Sequence, residues 1–229
     1  MSRHLERDMD RLQSSILSLS SQVEAMIDKA MLVLCDRRFS LASEVEADDD
    51  AIDQEETRIE EECLKMLALH QPVAIDLRRI ATVLKINNDL ERVADLAVNI
   101  AERAQGFGQF PEFEIPPMLR DMSIAAVNML RRSLDSFVHL DAQMARQVRM
   151  MDNEVDDFNI AIIDQLQTTM QQHSALVAPA LHCFSAARHL ERIGDLATNI
   201  AEDVIYLVEG EIIRHKHDPG PTVMTNKHS

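Results

Sequence analysis

The chain has 229 residues and a formal net charge of -16; hydrophobic residues make up 46% and aromatic residues 3%, with no Trp. A surface this acidic repels nucleic acid and anionic lipid, so cations or basic protein surfaces are the expected partners. Gly (5) and Pro (7) are scarce and Met (13) is abundant, a composition that favours helices over strands.

The N-terminal stretch MSRHLERDMDRLQ lacks the apolar core of a signal peptide. No stretch approaches the ~18 consecutive apolar residues of a membrane span. From Arg3 to about Arg37, apolar residues recur at helical spacing: Leu5, Met9, Leu12, Ile16, Leu19, Val23, Met26, Ile27, Ala30, Met31 and Leu34. This pattern predicts a long amphipathic helix. Asp36 to Ser40 is the expected turn, with Ser40 as N-cap. A second helix is predicted from about Ser40 to Leu69, with Leu41, Val45, Ile52, Ile59, Cys63, Leu64, Met66 and Leu67 inward and a strongly acidic first half. His70-Gln71-Pro72 closes it. A third runs from about Val73 to Gln105, ended by Gly106-Phe107-Gly108 acting as a glycine stop. Helices four, five and six follow at Met118 to about Val138, Asp141 to about His173 and Pro179 to about Ile213. The tail, residues 214–229, has no periodicity and is expected to be disordered.

Residues 106–117, GFGQFPEFEIPP, hold five of the twelve Gly and Pro and mark a boundary. The stretch Asp89–Glu102, DLERVADLAVNIAE, returns as HLERIGDLATNIAE at His189–Glu202, with ten of fourteen positions identical. Asp49-Asp50-Ala51-Ile52-Asp53 likewise returns as Asp152-Asn153-Glu154-Val155-Asp156. The expected fold is all-α: two tandem, pseudo-symmetric three-helix bundles built from six long helices, each about 45 Å at ~1.5 Å per residue. The first covers 1–108 and the second 118–213, joined by a linker at 109–117.

Each copy of the repeat carries Glu-x-x-x-Asp: Glu91 with Asp95, and Glu191 with Asp195. Residues four apart are neighbours on a helix, so these carboxylates repel unless something positive lies between them. Asn88, Glu91, Asp95, Asn99 and Glu102 form one line along the third helix, and Arg188, Glu191, Asp195, Asn199 and Glu202 its copy. On the second helix of each half, Asp49 with Asp53 and Asp152 with Asp156 supply matching pairs. A single such pair in so acidic a chain is an ordinary solvated face, and Arg92 and Arg192 offer ordinary ion pairing. The twofold recurrence on two helices favours two cation sites. Oxygen ligands with few His or Cys suit Mg, Mn, Ca or Fe ions, and zinc less well.

The three cysteines, Cys35, Cys63 and Cys183, sit in apolar helical patterns and read as core residues of a reducing compartment. His182 and His189 read as packing residues, and the methionines as core or adaptable interface. There is no Walker A loop, GxGxxG, His-Glu-x-x-His or Gly-x-Ser-x-Gly. The Glu-x-x-His of di-iron bundles is absent as well. A non-enzyme is therefore expected, with a metal-dependent carboxylate-site enzyme and a metal-binding helical scaffold as the alternatives.

The doubled Glu-Arg-[Val/Ile]-x-Asp-Leu-Ala-x-Asn-Ile-Ala-Glu, with the segment AIDLRRIATVLKINNDLERVADLAVNIAE (Ala74–Glu102), resembles the PhoU family of bacterial phosphate-transport accessory proteins. The resemblance covers the chain apart from its tail. It implies a homodimer that binds metal through Glu91, Asp95, Glu191 and Asp195, with Asp49, Asp53, Asp152 and Asp156 as further candidates. It also implies a cytoplasmic negative regulator of the phosphate-starvation response, peripheral to the inner membrane through its partners. There it would link the transporter ATPase PstB to the sensor kinase PhoR and restrain uptake. The second copy departs at Arg188 for Asn88 and His189 for Asp89, where extra positive charge is expected to weaken the second site.

Overall fold

A computed structural model describes residues 3–211; the predicted disordered tail lies outside them. Six long helices carry the chain: α1 (Arg3–Cys35), α2 (Ala42–His70), α3 (Ala74–Gln105), α4 (Met118–His139), α5 (Ala142–Gln172) and α6 (Val177–Glu209). Short 3-10 turns at Phe39–Leu41, Gly106–Gln109 and Ser174–Leu176 complete it, and there is no strand among the described residues. No helix among them is long and apolar enough to cross a membrane.

Every residue predicted to form the apolar stripe of α1 is buried. On α2, Val45, Ile52, Ile59, Cys63 and Met66 are buried, but Leu64 is 53% exposed. Leu64 follows Cys63 directly and so points about 100° away from the buried stripe. On α3, Ile80, Ile86, Leu90, Val93, Leu96, Ala97 and Ile100 are buried, while Leu77 near its start is exposed. Met150 also faces outward, unlike the methionines of α1.

The helix ends depart from the sequence reading in two places. Ser40 is not the N-cap of α2. It lies inside the 3-10 turn, and Leu41 occupies the cap position without a side-chain bond. Nor is Gly106 a left-handed stop: its φ is -58, and the chain tightens there into a 3-10 turn. Space is the reason for a glycine here. A Cβ on Gly106 would lie 2.5 Å from the Nε2 of His182. The left-handed stops are Gln71, Leu140 and Gly210. Asp141 caps α5 by accepting from the N–H groups of Gln143 and Met144, as its residue type favours.

Helices α1, α2 and α3 pack on one another, and so do α4, α5 and α6. The two bundles meet along α3 against α6 and along α1 against α4. Lys85 bonds Asp203 at 2.9 Å, Gly106 abuts His182, and Arg78 abuts Gly210. Numbers rise on α3 as they fall on α6, so the two helices run antiparallel. The same register sets position 94 level with position 194, equivalent points of the repeat, and this is where the pseudo-twofold axis passes. Small residues on the two helices (Ala97, Ala101, Ala197 and Ala201) are all buried and allow close packing. Helices α2 and α5 lie on the outer flanks.

The Gly- and Pro-rich connection is packed, with Phe107 and Phe113 buried and their rings stacked at 5.7 Å. Arg37 holds it in place. Its guanidinium donates to the carbonyls of Phe107, Phe110 and Phe113 at 3.0, 3.2 and 2.6 Å. Arg37 itself has a φ of 55, which costs a non-glycine residue about 1–2 kcal/mol and is offset by these three bonds.

Candidate functional site

The repeated stretch gives its two copies nearly the same surroundings. Positions 91–100 and 191–200 have the same pattern of buried, half-buried and exposed residues, one for one. Glu91 and Glu191 are half-buried, and Asp95 and Asp195 are exposed. Val93, Ala94, Leu96 and Ala97, with their counterparts, turn inward. The flanking helices repeat this arrangement: Asp49 and Asp152 are half-buried, Asp53 and Asp156 exposed.

Electrostatics shows which of these carboxylates share a surface. Burial, followed by Asp53, Asp95 and Asp50, pushes the Asp49 carboxyl from 3.8 up to about 6. Burial, followed by Asp156, Asp195 and Glu191, pushes Asp152 to about 6 as well. Glu91 is raised by burial and by Asp95, Asp53, Glu56 and Asp49. Asp195 is raised by burial, Glu191 and Asp156, partly offset by Arg188 and Arg192. Asp49, Asp53, Glu91 and Asp95 thus form one coupled set across α2 and α3. Asp152, Asp156, Glu191 and Asp195 form the other across α5 and α6. Glu56 joins the first set, one helical turn beyond Asp53 and unselected because no equivalent recurs in the second half.

Within these sets the side chains stand apart. Among the described residues no group of three His, Cys, Asp or Glu side chains converges as it would to hold an ion. Like charges with no cation between them are expected to separate. One atom is left without a partner: the Oε2 of Glu191 is buried and accepts no hydrogen bond, while its Oε1 takes the Arg188 guanidinium at 2.8 Å. The close approach of α5 to α6 occurs here too, since a Cβ on Gly194 would lie 3.3 Å from the Oδ1 of Asp152.

The expectation of extra positive charge in the second copy holds for Arg188 alone. Burial, with Arg192 and Arg103 nearby, lowers the His189 pKa from its ordinary 6.5, so the ring is neutral at neutral pH. Its Nδ1 is buried without a partner, in keeping with a packing residue.

Sequence reasoning missed the relation between the two sets. A groove of about 490 Å³ runs along the α3–α6 seam, lined by Arg92, Asp95, Asn99, Arg192, Asp195 and Asn199 and floored by Leu96 and Leu196. One carboxylate of each set therefore borders the same groove, around the pseudo-twofold axis. Arg92 makes only a 3.4 Å contact to Asp89. Arg192 lies near enough to Asp195 to offset part of the rise of its carboxyl.

Two tandem three-helix bundles facing each other across a pseudo-twofold axis, each with a coupled carboxylate set on its second and third helices, define a class of duplicated all-helical protein. The family model described as the PhoU domain matches residues 16–104 and 119–204, one match in each bundle. The chain belongs to the PhoU family. It is 36% identical over 218 residues to the phosphate-specific transport system accessory protein PhoU homolog of Pseudomonas aeruginosa, covering 94% of this chain and 89% of that one. It is 38% identical over 213 residues to the homolog of Aquifex aeolicus, covering 93% and 96%. The crystal structure of PhoU from Pseudomonas aeruginosa superposes with a TM-score of 0.84 at 36% identity, covering 90% of this chain and 99% of that one. The phosphate transport system regulatory protein PhoU from Streptococcus pneumoniae superposes with a TM-score of 0.85 at 26% identity, covering 91% and 98%.

Proposed function

We propose that this protein is a non-enzymatic accessory regulator of phosphate transport. It restrains uptake and the phosphate-starvation response when phosphate is plentiful. It acts as a cytoplasmic homodimer that links the transporter ATPase PstB to the sensor kinase PhoR at the inner face of the membrane. The observation that carries this reading is similarity over nearly the whole chain to proteins named as accessory to phosphate-specific transport.

The reading includes cation binding. The candidate residues are all oxygen donors, which suits Mg, Mn, Ca or Fe ions. The raised carboxyls of Asp49, Glu91, Asp152 and Asp195 and the unpartnered Glu191 Oε2 are what an unmet demand for positive charge produces. Asp49, Asp53, Glu91 and Asp95 would hold one site, and Asp152, Asp156, Glu191 and Asp195 the other. A cation there would relieve the repulsion and tie α2 to α3 and α5 to α6. The separation of these side chains favours a second reading, an accessory scaffold without metal.

Deletion of the gene tests the regulatory reading: starvation genes are expected to run in phosphate-rich medium, and unchanged expression would overturn it. Co-purification with the ATPase and the kinase tests the partners. Elemental analysis of purified protein, beside Glu91→Gln/Asp95→Asn and Glu191→Gln/Asp195→Asn, tests the metal. Full metal content in these variants would dismiss the site assignment, and none in the native protein would favour the bare scaffold.

A further inference from the structure

We infer that the second bundle docks a basic amphipathic helix of a partner protein on the face shared by α5 and α6, with Ile160, Leu181 and Phe184 as the apolar seat. The inference rests on the adaptor reading above for the existence of a protein partner. It goes beyond that reading by assigning the face and the chemistry of what binds there, and it needs no bound cation.

Large apolar side chains scattered singly over a surface are ordinary, but these form a patch. On α6, Leu181 is 53% and Phe184 37% exposed, and on α5 Ile160 is 58% exposed, with Ile163 half-buried beside it. Leu181, Phe184, Arg188, Glu191 and Asp195 follow one another at spacings of three and four along α6, and Asp152, Asp156, Ile160 and Ile163 do so along α5. Each helix therefore carries its apolar and acidic residues on one line. Asp156 and Glu191 both act on Asp195, so the two lines face the same side. The close approach of Gly194 to Asp152 sets the register of this antiparallel pair. It places Ile160 and Ile163 level with positions 186 and 183, beside Phe184 and Leu181. The equivalent positions of the first bundle hold Thr57, Glu60, Ala81 and Leu84. The patch thus belongs to the second bundle alone and is not a requirement of the fold, which the first bundle forms without it.

Charge selects the occupant. Along the same lines lie Asp152, Asp156, Glu191 and Asp195. The charged groups acting on Asp152 are all acidic, namely Asp156, Asp195 and Glu191, and with burial they push its carboxyl up to about 6. Arg188 answers Glu191 at 2.8 Å and Arg192 offsets part of the rise at Asp195, which leaves the carboxylates of α5 in excess. The acidic and apolar levels are about eight residues apart, or about 12 Å along the helices. A helix that fits lays two or three apolar side chains of one stripe on the patch and sets Lys or Arg about two turns further along, over the carboxylates. Charge complementarity fixes its direction and repels an acidic helix. An anionic bilayer is repelled for the same reason.

Fluorescence anisotropy on the full chain, with chelator present, tests this with a synthetic helical peptide of Ala, Leu and Lys about four turns long, Leu on its first two turns and Lys on its last two. Wild type is expected to bind it and not the counterpart with Glu in place of Lys. Ile160→Asp and Leu181→Asp should each weaken binding about fivefold or more, from lost apolar burial. Asp156→Asn should weaken it about two- to fivefold at low salt and less at high salt. Ile160 and Leu181 are exposed, so helical content should be unchanged in their variants. These two variants separate the kinds of attachment, because an added carboxylate strengthens a purely electrostatic hold on Lys and weakens apolar docking. Unchanged or tighter binding in them overturns the inference. So do equal binding of the Glu peptide, an equal loss in Ile124→Asp, whose 63% exposed side chain lies on α4, and binding of phosphatidylglycerol vesicles that Leu181→Asp abolishes. A native dimer that Ile160→Asp dissociates assigns the face to a second copy and overturns it as well. Failure of wild type to bind the Lys peptide overturns the inference and leaves the adaptor reading standing. Failure of the ATPase and the kinase to co-purify with wild type overturns the adaptor reading, while the peptide still decides the face.

Discussion

Replacing Asp152 with Asn is expected to stabilise the cation-free protein, and to do so more at neutral than at acid pH. Asp152 is half-buried on α5, facing Asp156, Asp195 and Glu191, and its carboxyl is pushed from 3.8 up to about 6. A raised carboxyl favours the protonated native state, so the native protein loses stability as pH rises from about 4 to about 6 and stays at that lower level above. In full, the displacement from 3.8 to about 6 is worth about 3 kcal/mol, and solvent screening around a half-buried group leaves about 1–2 kcal/mol. Asn keeps the shape and removes the charge. The gain at about pH 7.5 should therefore be about 1–2 kcal/mol, and about half of that at about pH 5. Urea titrations at the two pH values, with chelator present throughout, measure it. The thermal midpoint should rise by about 2–8 °C at the higher pH. A gain equal at both pH values, or no gain, would refute the placement of Asp152 among like charges.

Arg37→Ala should cost about 2–3 kcal/mol in denaturant titration, from three lost bonds to the connection, and Arg37→Gly about 1 kcal/mol less because glycine tolerates the positive φ. Gly106→Ala should cost about 1–3 kcal/mol by driving a methyl into the His182 ring. A double-mutant cycle with His182→Ala should recover part of that loss, since the two positions touch. Burial pushes the Cys63 and Cys183 thiols up to about 12. A thiol reagent at neutral pH should therefore leave both unmodified in the native protein and label them once denaturant is added.

The helical fold was legible because each helix writes its buried stripe at a spacing no strand shares, and α1 kept every predicted position. The duplication was legible because a carboxylate stripe with Asn and Ala between its members recurs in one frame. The helix ends were not legible. Ser40 has the chemistry of a cap, but the turn before α2 consumed it. Gly106 has the conformational freedom of a stop, but answers to the ring of His182, a neighbour 76 residues away in sequence. The carboxylate sets were legible because α3 follows α2 after a short turn and packs back against it. The groove was not, because it depends on α3 and α6 running antiparallel with equivalent positions level. Nothing in either helix alone states that. Arg92 and Arg192 consequently read as local ion-pair partners when their common feature is the cleft they share.

The seam between α3 and α6 is an isologous contact formed within a single polypeptide: the same stripe of residues supplies both sides. In a true dimer such a stripe is locked to self-complementarity, because every substitution happens twice. Here the two sides are separate text in one gene, and each can change while the other stays. Ala94 opposite Gly194, and Asp89 answered by His189, are such single-sided edits. A duplicated chain keeps the closed geometry of a symmetric pair while being free to make its two faces unequal.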